Sequence, residues 1–324
     1  MKQQQFEQRH RAEWSALEEQ LVALEDRSRD ADPAALPALY RRACQHLALA
    51  TDRHYSPALV AYLRQLVVRG HQHLYRTRRR WLPRLQHFLG AELPLTLRAE
   101  WRLLVLAAVL LFLPAAVMGA ACYAHGELVY SLLNESQVSR MESMYDPANH
   151  HLGRGEDRQS ASDFLMFGFY IRNNTGIGFR TFAGGLLFGL GTVTALLFNG
   201  LFLGAVAGHL TRLGFSATFW PFVAGHGAFE FTAILLSGTA GLQLARALYA
   251  PGRRGRLGAL RATAAASVTL IVGAALLFLL AAFVEAFWSS RGDIPGGIKL
   301  GVAAGLWLLV AGYFTLAGRG RDGP

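Results

Sequence analysis

The sequence predicts an all-α, polytopic membrane protein with about six transmembrane helices behind an N-terminal cytoplasmic helical bundle. Two observations predict this class. Residues 1–100 carry closely spaced charges between apolar residues that recur every three or four positions, as in amphipathic helices. From Trp101 onward, the apolar runs are too long for the core of a soluble domain. We therefore divide the chain into a cytoplasmic domain, residues 1–100, and a transmembrane domain, residues 101–324.

Three amphipathic helices are expected in the cytoplasmic domain. The apolar stripes of the first two comprise Phe6, Trp14, Leu17, Leu21 and Leu24, and then Leu36, Tyr40, Ala43 and Leu47. Ser56 is an N-cap residue followed by Pro57 at the first helical position, so a third helix is expected to begin there. Three such stripes can pack against one another as a bundle.

A basic amphipathic helix is expected to end this domain at the membrane surface. Arginines alternate there with aromatic and aliphatic residues, a pattern typical of helices that lie on an anionic bilayer. A solvated connecting helix is the alternative. The predicted surface residues are Arg76, Arg78, Arg79, Arg80, Trp81 and Arg84.

The first transmembrane span is expected at residues 102–122, because about 20 apolar residues cross a hydrocarbon core of about 30 Å. Arginines crowd its N-terminal side, whereas residues 123–174 are rich in Asp and Glu. Because basic loops stay in the cytoplasm, we expect a cytoplasmic N-terminus and an extracytoplasmic segment at 123–174. The same rule explains the net charge of +10 without nucleic-acid binding.

Five further spans are predicted, at residues 175–190, 192–212, 220–249, 262–288 and 298–317. Residues 164–171 are apolar but too short to cross, so they are expected at the outer interface. We expect the second and third spans to reverse near Gly189 and Gly191, and a re-entrant pair is the alternative. Basic residues follow the fourth and sixth spans, and a count of six places both termini in the cytoplasm.

Glycines mark the expected packing positions in the membrane. Small residues four apart allow two helix backbones to approach closely in lipid, where packing drives association. The candidates are Gly185, Gly189, Gly191, Gly200, Gly204 and Gly208. We favour contacts within the chain, and a homodimer face is the alternative.

Polar residues at membrane depth are the candidate functional residues, because burying them in lipid is costly. His226 and Glu230 are four residues apart on one helix face, where they can bond to each other or share a metal ion. His209 or Asn199 could complete a cluster. A structural pair is the simplest interpretation, and a proton or ion relay and a metal site are the alternatives.

Four other polar residues complete the candidate set. Asn173 and Asn174 are expected to cap the second span, and Arg180 to reach outer head groups or an acidic partner. Glu285 is expected near the outer end of the fifth span, where its side chain can extend toward the interface.

Recognised catalytic motifs are absent from the sequence. It contains no serine-nucleophile motif, phosphate-binding glycine loop or nucleotide-binding fingerprint, and HGAFE at 226–230 differs from the HExxH of metallopeptidases. The sequence therefore favours a function without catalysis and predicts no cofactor.

Two stretches resemble a known family. The run NNTGIGFRTFAGGLLFGLGTVTALLFNGLFLGAVAGHL, from residue 173, and FWPFVAGHGAFEFTAILLSGTAGLQLA, from residue 219, are similar to the stage II sporulation protein M family. The most specific positions are Asn173, Asn174, Gly191, Thr192, Asn199, Gly200, Gly204, His226, Gly227 and Glu230. The N-terminal region resembles the longer members found in non-sporulating bacteria.

The resemblance implies a polytopic protein of the bacterial inner membrane that contacts the lipid bilayer. Sporulating members act as membrane scaffolds for peptidoglycan-degrading partners. The long N-terminal region departs from the short sporulation form, which argues against an engulfment role. Longer relatives occur beside AAA-type ATPases, so the resemblance also implies a cytoplasmic ATPase partner docking on residues 1–100.

Three functional hypotheses follow. The leading one is a non-catalytic inner-membrane scaffold for envelope proteins that remodel the cell wall. The second is a transporter or channel that uses Asn199, His226 and Glu230. The third is an intramembrane metal-dependent hydrolase. A hydrated cavity around His226 and Glu230 would favour transport, whereas dry packing there would favour the scaffold.

Overall fold

A computed structural model describes residues 2–26, 34–74, 81–148 and 160–319. These residues form α-helices and turns and contain no strand, which confirms the all-α class. The helices are α1 (Gln3–Glu25), α2 (Leu36–Asp52), α3 (Pro57–Leu74), α4 (Trp81–His87), α5 (Leu93–Ala99), α6 (Trp101–Ala124), α7 (Glu135–Tyr145), α8 (Ser160–Ala183), α9 (Leu190–Arg212), α10 (Ser216–Tyr249), α11 (Gly255–Val284) and α12 (Gly296–Leu316). Contacts divide the chain into two units, residues 1–81 and 82–324.

The first unit is the predicted N-terminal bundle of α1, α2 and α3. Its core contains most of the predicted stripe residues of α1 and α2, with Leu24 and Leu47 packed against it and partly buried. The buried core residues are Phe6, Trp14, Leu17, Leu21, Leu36, Ala43, Ala50, Leu59, Leu63 and Leu66. Ser56 accepts a bond from the Leu59 amide and caps α3, as its position before Pro57 predicted. The bundle core also holds one polar pair, because the Trp14 indole donates to Nδ1 of buried His46 at 3.1 Å.

The second unit is a multi-pass membrane domain. Five helices in the described residues have the length and apolarity to cross a bilayer: α6, α9, α10, α11 with its flanking turns, and α12. The 24-residue α8 has the length as well, but it contains Asp163, Arg172 and Arg180. The second predicted span, residues 175–190, therefore has no counterpart among the described helices that qualify by hydropathy.

Contacts between helices fix their directions within this unit. Successive glycines of α9, at 200, 204 and 208, face Leu111, Ala115 and Gly119 of α6 in the same order, so α6 and α9 are parallel. The helix α8 runs the opposite way, since Phe164 contacts Phe287 and Gly178 approaches Phe278 of α11 in reversed order. Helices α6, α8, α9, α10, α11 and α12 therefore alternate in direction.

The two ends of the membrane unit differ in what covers them. We call the end with α5 and the start of α6 the proximal end. There the Arg98 guanidinium donates to the carbonyls of Phe314 and Ala317 at the end of α12. We call the opposite end, covered by α7, the distal end. There Thr218 of α10 donates to the carbonyl of Tyr145, the last residue of α7.

Helix bounds differ from the predicted spans most at residues 160–190. Residues 164–171 do not form a separate interfacial segment, and a helix does not begin at 175. Both stretches belong to α8, because no proline interrupts the run and the Asn173 side chain bonds to Asn174 at 2.9 Å instead of capping a backbone. The reversal occurs at residues 184–189, where Gly189 has a φ of +83° and begins α9.

Candidate functional site

A cavity of about 220 Å³ lies in the distal half of the membrane unit. Helices α6 to α10 surround it, together with the π-helical turn at Glu285–Ser289 that ends α11. Most of its lining is aromatic or aliphatic. The polar residues that line it are Asn173, Asn174, Asn199, His226, Glu230 and Glu285. Six of the eight predicted site residues thus meet in one place.

His226 is the most buried of the titratable residues in the cavity, at 5% exposure. Its Nδ1 lies 3.1 Å from Ser289 Oγ, and its Nε2 lies 3.8 Å from Glu230 Oε2. The Phe222 ring packs edge-on against the imidazole. The contacts with Ser289 and Phe222 fix the plane of the His226 ring, so its Nε2 faces the cavity.

Glu285 completes a cluster with this pair. One nitrogen of His226 and one carboxylate oxygen each from Glu230 and Glu285 all lie within 4.8 Å of one another. Glu285 is the first residue of the π-helical turn, a type of irregularity that often occurs at functional sites. Neither Lys nor Arg occurs among the described side chains that line the cavity. Two carboxylates therefore share a largely apolar cavity with one imidazole.

Three asparagines, Asn173, Asn174 and Asn199, also line the cavity. Asn173 donates to Asn174 Oδ1, and Nδ2 of buried Asn174 has no hydrogen-bond partner in the described residues. Asn199 donates to the Ala195 carbonyl at 2.7 Å within its own helix. An unpaired buried donor is costly, which makes Asn174 Nδ2 a group that needs a bound acceptor.

Two predicted site residues lie elsewhere. His209 does not complete the cluster with His226; its Nε2 lies 2.7 Å from Glu142 of α7 at the distal end. Arg180 is close to the proximal reversal of α8, so it does not reach the distal interface where outer head groups were expected. The reason is the earlier start of α8 at Ser160, which places Arg180 between five and six turns beyond the first residue of the helix.

The predicted membrane-surface residues and the predicted packing glycines lie in different parts of the structure. Trp81 and Arg84 are exposed on α4, and the four arginines at 76, 78, 79 and 80 lie outside the described residues. Gly200, Gly204 and Gly208 pack against the α6 backbone within the chain, as described above.

The glycines of the reversal also pack internally. Gly185 faces the backbone of Gly241, and Gly191 faces the backbone of Gly184. An added Cβ at either position would collide with main-chain atoms.

Two grooves adjoin the cavity, and its proximal side is packed. A groove of about 720 Å³ between α8 and α9 includes Asn173, Asn199 and Arg180, and another of about 570 Å³ follows α7. On the proximal side, Thr192 donates to the Thr181 carbonyl at 2.6 Å and ties α9 to α8. The cavity thus adjoins a distal groove along α7 and a lateral groove that follows α8 and α9 as far as Arg180 and Thr181.

Sequence reasoning missed the part played by Ser289 and gave Glu285 little weight. Neither residue stands at a helical spacing from His226, because they arrive from α11. The one sequence signal for Glu285 was its position, because it is an acidic residue near the end of an apolar span. Ser289 offered none, since serines are common at helix ends.

Comparison with family models gives two matches. Residues 108–290, more than half of the chain, match the model described as Stage II sporulation protein M. The chain belongs to the stage II sporulation protein M family. In this family member every residue that lines the cavity lies within the matched region. Residues 4–76, which span the bundle, match a domain of unknown function, DUF8413. Comparisons with curated proteins and with solved structures give no match.

Proposed function

We propose that the membrane unit is a transport protein that binds a small cation in the distal cavity and moves it across the bacterial inner membrane. The observation that carries this proposal is the grouping of Glu230 and Glu285 beside His226, with neither Lys nor Arg among the described lining residues. Two carboxylates and an imidazole at membrane depth offer several ligand atoms to a cation, and ionisable residues at such positions often mark an ion pathway. If His226 and Glu230 formed a purely structural pair, no cavity would be needed beside them.

The shape of the unit supports a transport cycle. The cavity adjoins a groove along α7 at the distal end and a lateral groove between α8 and α9, whose lining extends to Arg180 and Thr181. The Thr181–Thr192 bond and the packing of Gly185 hold α8, α9 and α10 together at their proximal ends, and access from the distal end is one of the two states that alternating access requires. Opening the proximal side would require α8 to move relative to α9 and α10.

The charge distribution supports the orientation of this proposal. The proximal end carries most of the described arginines of the membrane unit: Arg98, Arg102, Arg246, Arg253, Arg254, Arg256, Arg261 and Arg319. The distal end carries acidic residues: Glu127, Glu135, Glu142, Asp146, Asp163 and Asp293. By the positive-inside rule the proximal end is cytoplasmic, so α8 crosses as a sixth span and both termini lie in the cytoplasm. Labelling of single cysteines at 127 and 317 from outside intact cells should modify the first alone.

The direct test is cation uptake into proteoliposomes. We expect purified full-length protein to transport at least one of K⁺, Mn²⁺ or Zn²⁺, and Glu230→Gln to reduce that uptake at least tenfold. The control is Glu127→Gln, which removes an exposed carboxylate at the distal end outside the cavity. Uptake that is absent for all three cations, or equal in Glu230→Gln and wild type, would refute the proposal.

A scaffold function is the second candidate, and the N-terminal bundle favours it. The bundle has a core of its own and a separate family match, as expected for an interaction module on a membrane anchor. Its partners would be envelope proteins on the distal side and an ATPase on the cytoplasmic side. Partners captured by full-length protein should be lost when residues 1–81 and 125–148 are both removed. Capture that survives both removals would contradict this function.

A further inference from the structure

The cavity cluster has the composition of a metal site. We propose that His226, Glu230 and Glu285 bind one divalent transition-metal ion, which names the cation class of the proposed transport function and rests on that function. One imidazole nitrogen and two carboxylates suit Mn²⁺, Fe²⁺ or Zn²⁺. The ion would neutralise both carboxylates, so the occupied cluster would carry no net charge at membrane depth.

The distances allow a single ion to reach all three side chains. Two ligand atoms about 2.1 Å from one ion lie at most about 4.2 Å apart. Nε2 of His226 and Oε2 of Glu230 are already within this limit, at 3.8 Å. The three ligand atoms lie within 4.8 Å of one another, so side-chain shifts of less than an ångström close the set.

The hydrogen bond to Ser289 orients His226 for this role. Metal-binding histidines usually donate their second ring N–H to a neighbouring acceptor, which selects the tautomer. Nδ1 of His226 lies 3.1 Å from Ser289 Oγ, so donation from Nδ1 leaves the Nε2 lone pair directed at Glu230. Ser289 is fully buried, which holds this acceptor in place.

Asn174 is an independent indication that the cavity holds a ligand. This residue is 3% exposed, lines the same cavity and has an unpaired amide Nδ2 among the described residues. An amide N–H cannot bind a metal, but it can donate to water on an ion whose coordination the three side chains leave incomplete. The asparagine and carboxylate side chains would then bind the hydrated ion together.

The experiment is metal binding by the purified full-length protein in detergent, measured by equilibrium dialysis with Zn²⁺ and with Mn²⁺. We expect one ion per chain, and at least a tenfold rise in Kd for Glu230→Gln, Glu285→Gln and His226→Gln. Ser289→Ala should raise the Kd by about 10- to 100-fold while keeping one ion per chain, because it removes only the orienting acceptor. Glu127→Gln is the matched control and should bind like the wild type.

Folding and function are tested separately. Glu230→Gln and Glu285→Gln keep side-chain shape and remove like-charge repulsion, so we expect each to elute as a monodisperse peak without metal. Binding that is substoichiometric in wild type, or equal across the folded variants, would overturn the metal assignment. Uptake of K⁺ by protein that binds neither Zn²⁺ nor Mn²⁺ would overturn this inference and leave transport intact. Stoichiometric binding without uptake of any cation would overturn the transport function alone.

Discussion

Replacing Gly204 by alanine should separate α6 from α9 and destabilise the membrane unit. Alanine favours a helix over glycine by about 1 kcal/mol, so the substitution would be stabilising at an open position. At Gly204 the added methyl group would instead meet the carbonyl of Ala115 on the parallel helix. A backbone carbonyl, unlike the end of a flexible side chain, cannot turn aside.

The size of the effect follows from this contact. The added Cβ would lie closer to the α6 backbone than 3.0 Å, a distance that real Cβ atoms essentially never show. The two helices must therefore move apart by several tenths of an ångström, and the packing on either side of Gly204 loosens. Overpacking of this kind costs about 1–3 kcal/mol. Because the carbonyl cannot move aside, we expect a cost at the upper end of this range, about 3 kcal/mol. Subtracting the helix-propensity gain of about 1 kcal/mol leaves a net loss of about 2 kcal/mol in the free energy of unfolding.

Gly305 is the matched control, because an added Cβ on this face of α12 would meet nothing within 4 Å. Gly305→Ala should show the helix gain alone, so the two variants should differ by about 3 kcal/mol. For a unit of this size, that difference corresponds to about 6–12 °C in melting temperature. Size-exclusion chromatography after stepwise heating in detergent measures it. A Gly204→Ala protein that melts at or above Gly305→Ala would refute the tight approach of α6 and α9.

Three further predictions concern single side chains. Lys299 is buried, and its ammonium group donates to the carbonyls of Ser289 and Arg291. Lys299→Met should lower the melting temperature, because it leaves two acceptors unpaired at a cost of about 1–3 kcal/mol each. An unchanged melting temperature would contradict this prediction. Leu63→Ala should lower the free energy of unfolding of the bundle by about 2–5 kcal/mol, measured by proteolysis. Val68→Ala, at an exposed position of the same helix, should have little effect. Equal effects would show that the core is misassigned. Burial, and next the neighbouring histidine ring, hold the pKa of His46 below its ordinary value of 6.5. The folded bundle therefore binds fewer protons than the unfolded chain below that pH, so its stability should fall as the pH drops below 6.5, and His46→Gln should flatten this dependence.

The bundle was predictable because its helices are regular. Each stripe of the first unit follows the helical period over several turns, and Ser56 and Pro57 mark the start of α3 in the sequence itself. Burial of such stripes needs no information beyond the period. Core residues such as Leu17 and Leu21 could therefore be named before the structure was known.

Helix α8 could not be delimited in the same way. Hydropathy separates residues 164–171 from the polar stretch at Asn173 and Asn174, yet both belong to α8. The polar residues are tolerated there because they line a cavity formed by other helices, which is a tertiary property. Local hydropathy cannot reveal which neighbours a helix will acquire.

The candidate site was predictable in its members but not in its grouping. His226 and Glu230 share a face of α10 by spacing alone, so their pairing could be named from the sequence. Glu285 joins them from another helix, through a π-helical turn that changes the direction of its side chain. An irregular turn of this kind has no periodic pattern, and so His209 was a plausible third member until the fold separated it from the pair.

The weak hydropathy of α8 has a consequence for how this chain enters the membrane during synthesis. A helix with Asp163, Arg172 and Arg180 gains little from partitioning into lipid alone, whereas α9 is apolar throughout most of its length. The short reversal at residues 184–189 joins the two, so they can leave the translocation machinery together as a hairpin. Insertion of α8 would then wait until α9 has been synthesised. Until that point α6 would also lack its parallel partner, α9. Truncation after residue 188 should leave α8 outside the bilayer, although it contains the complete helix.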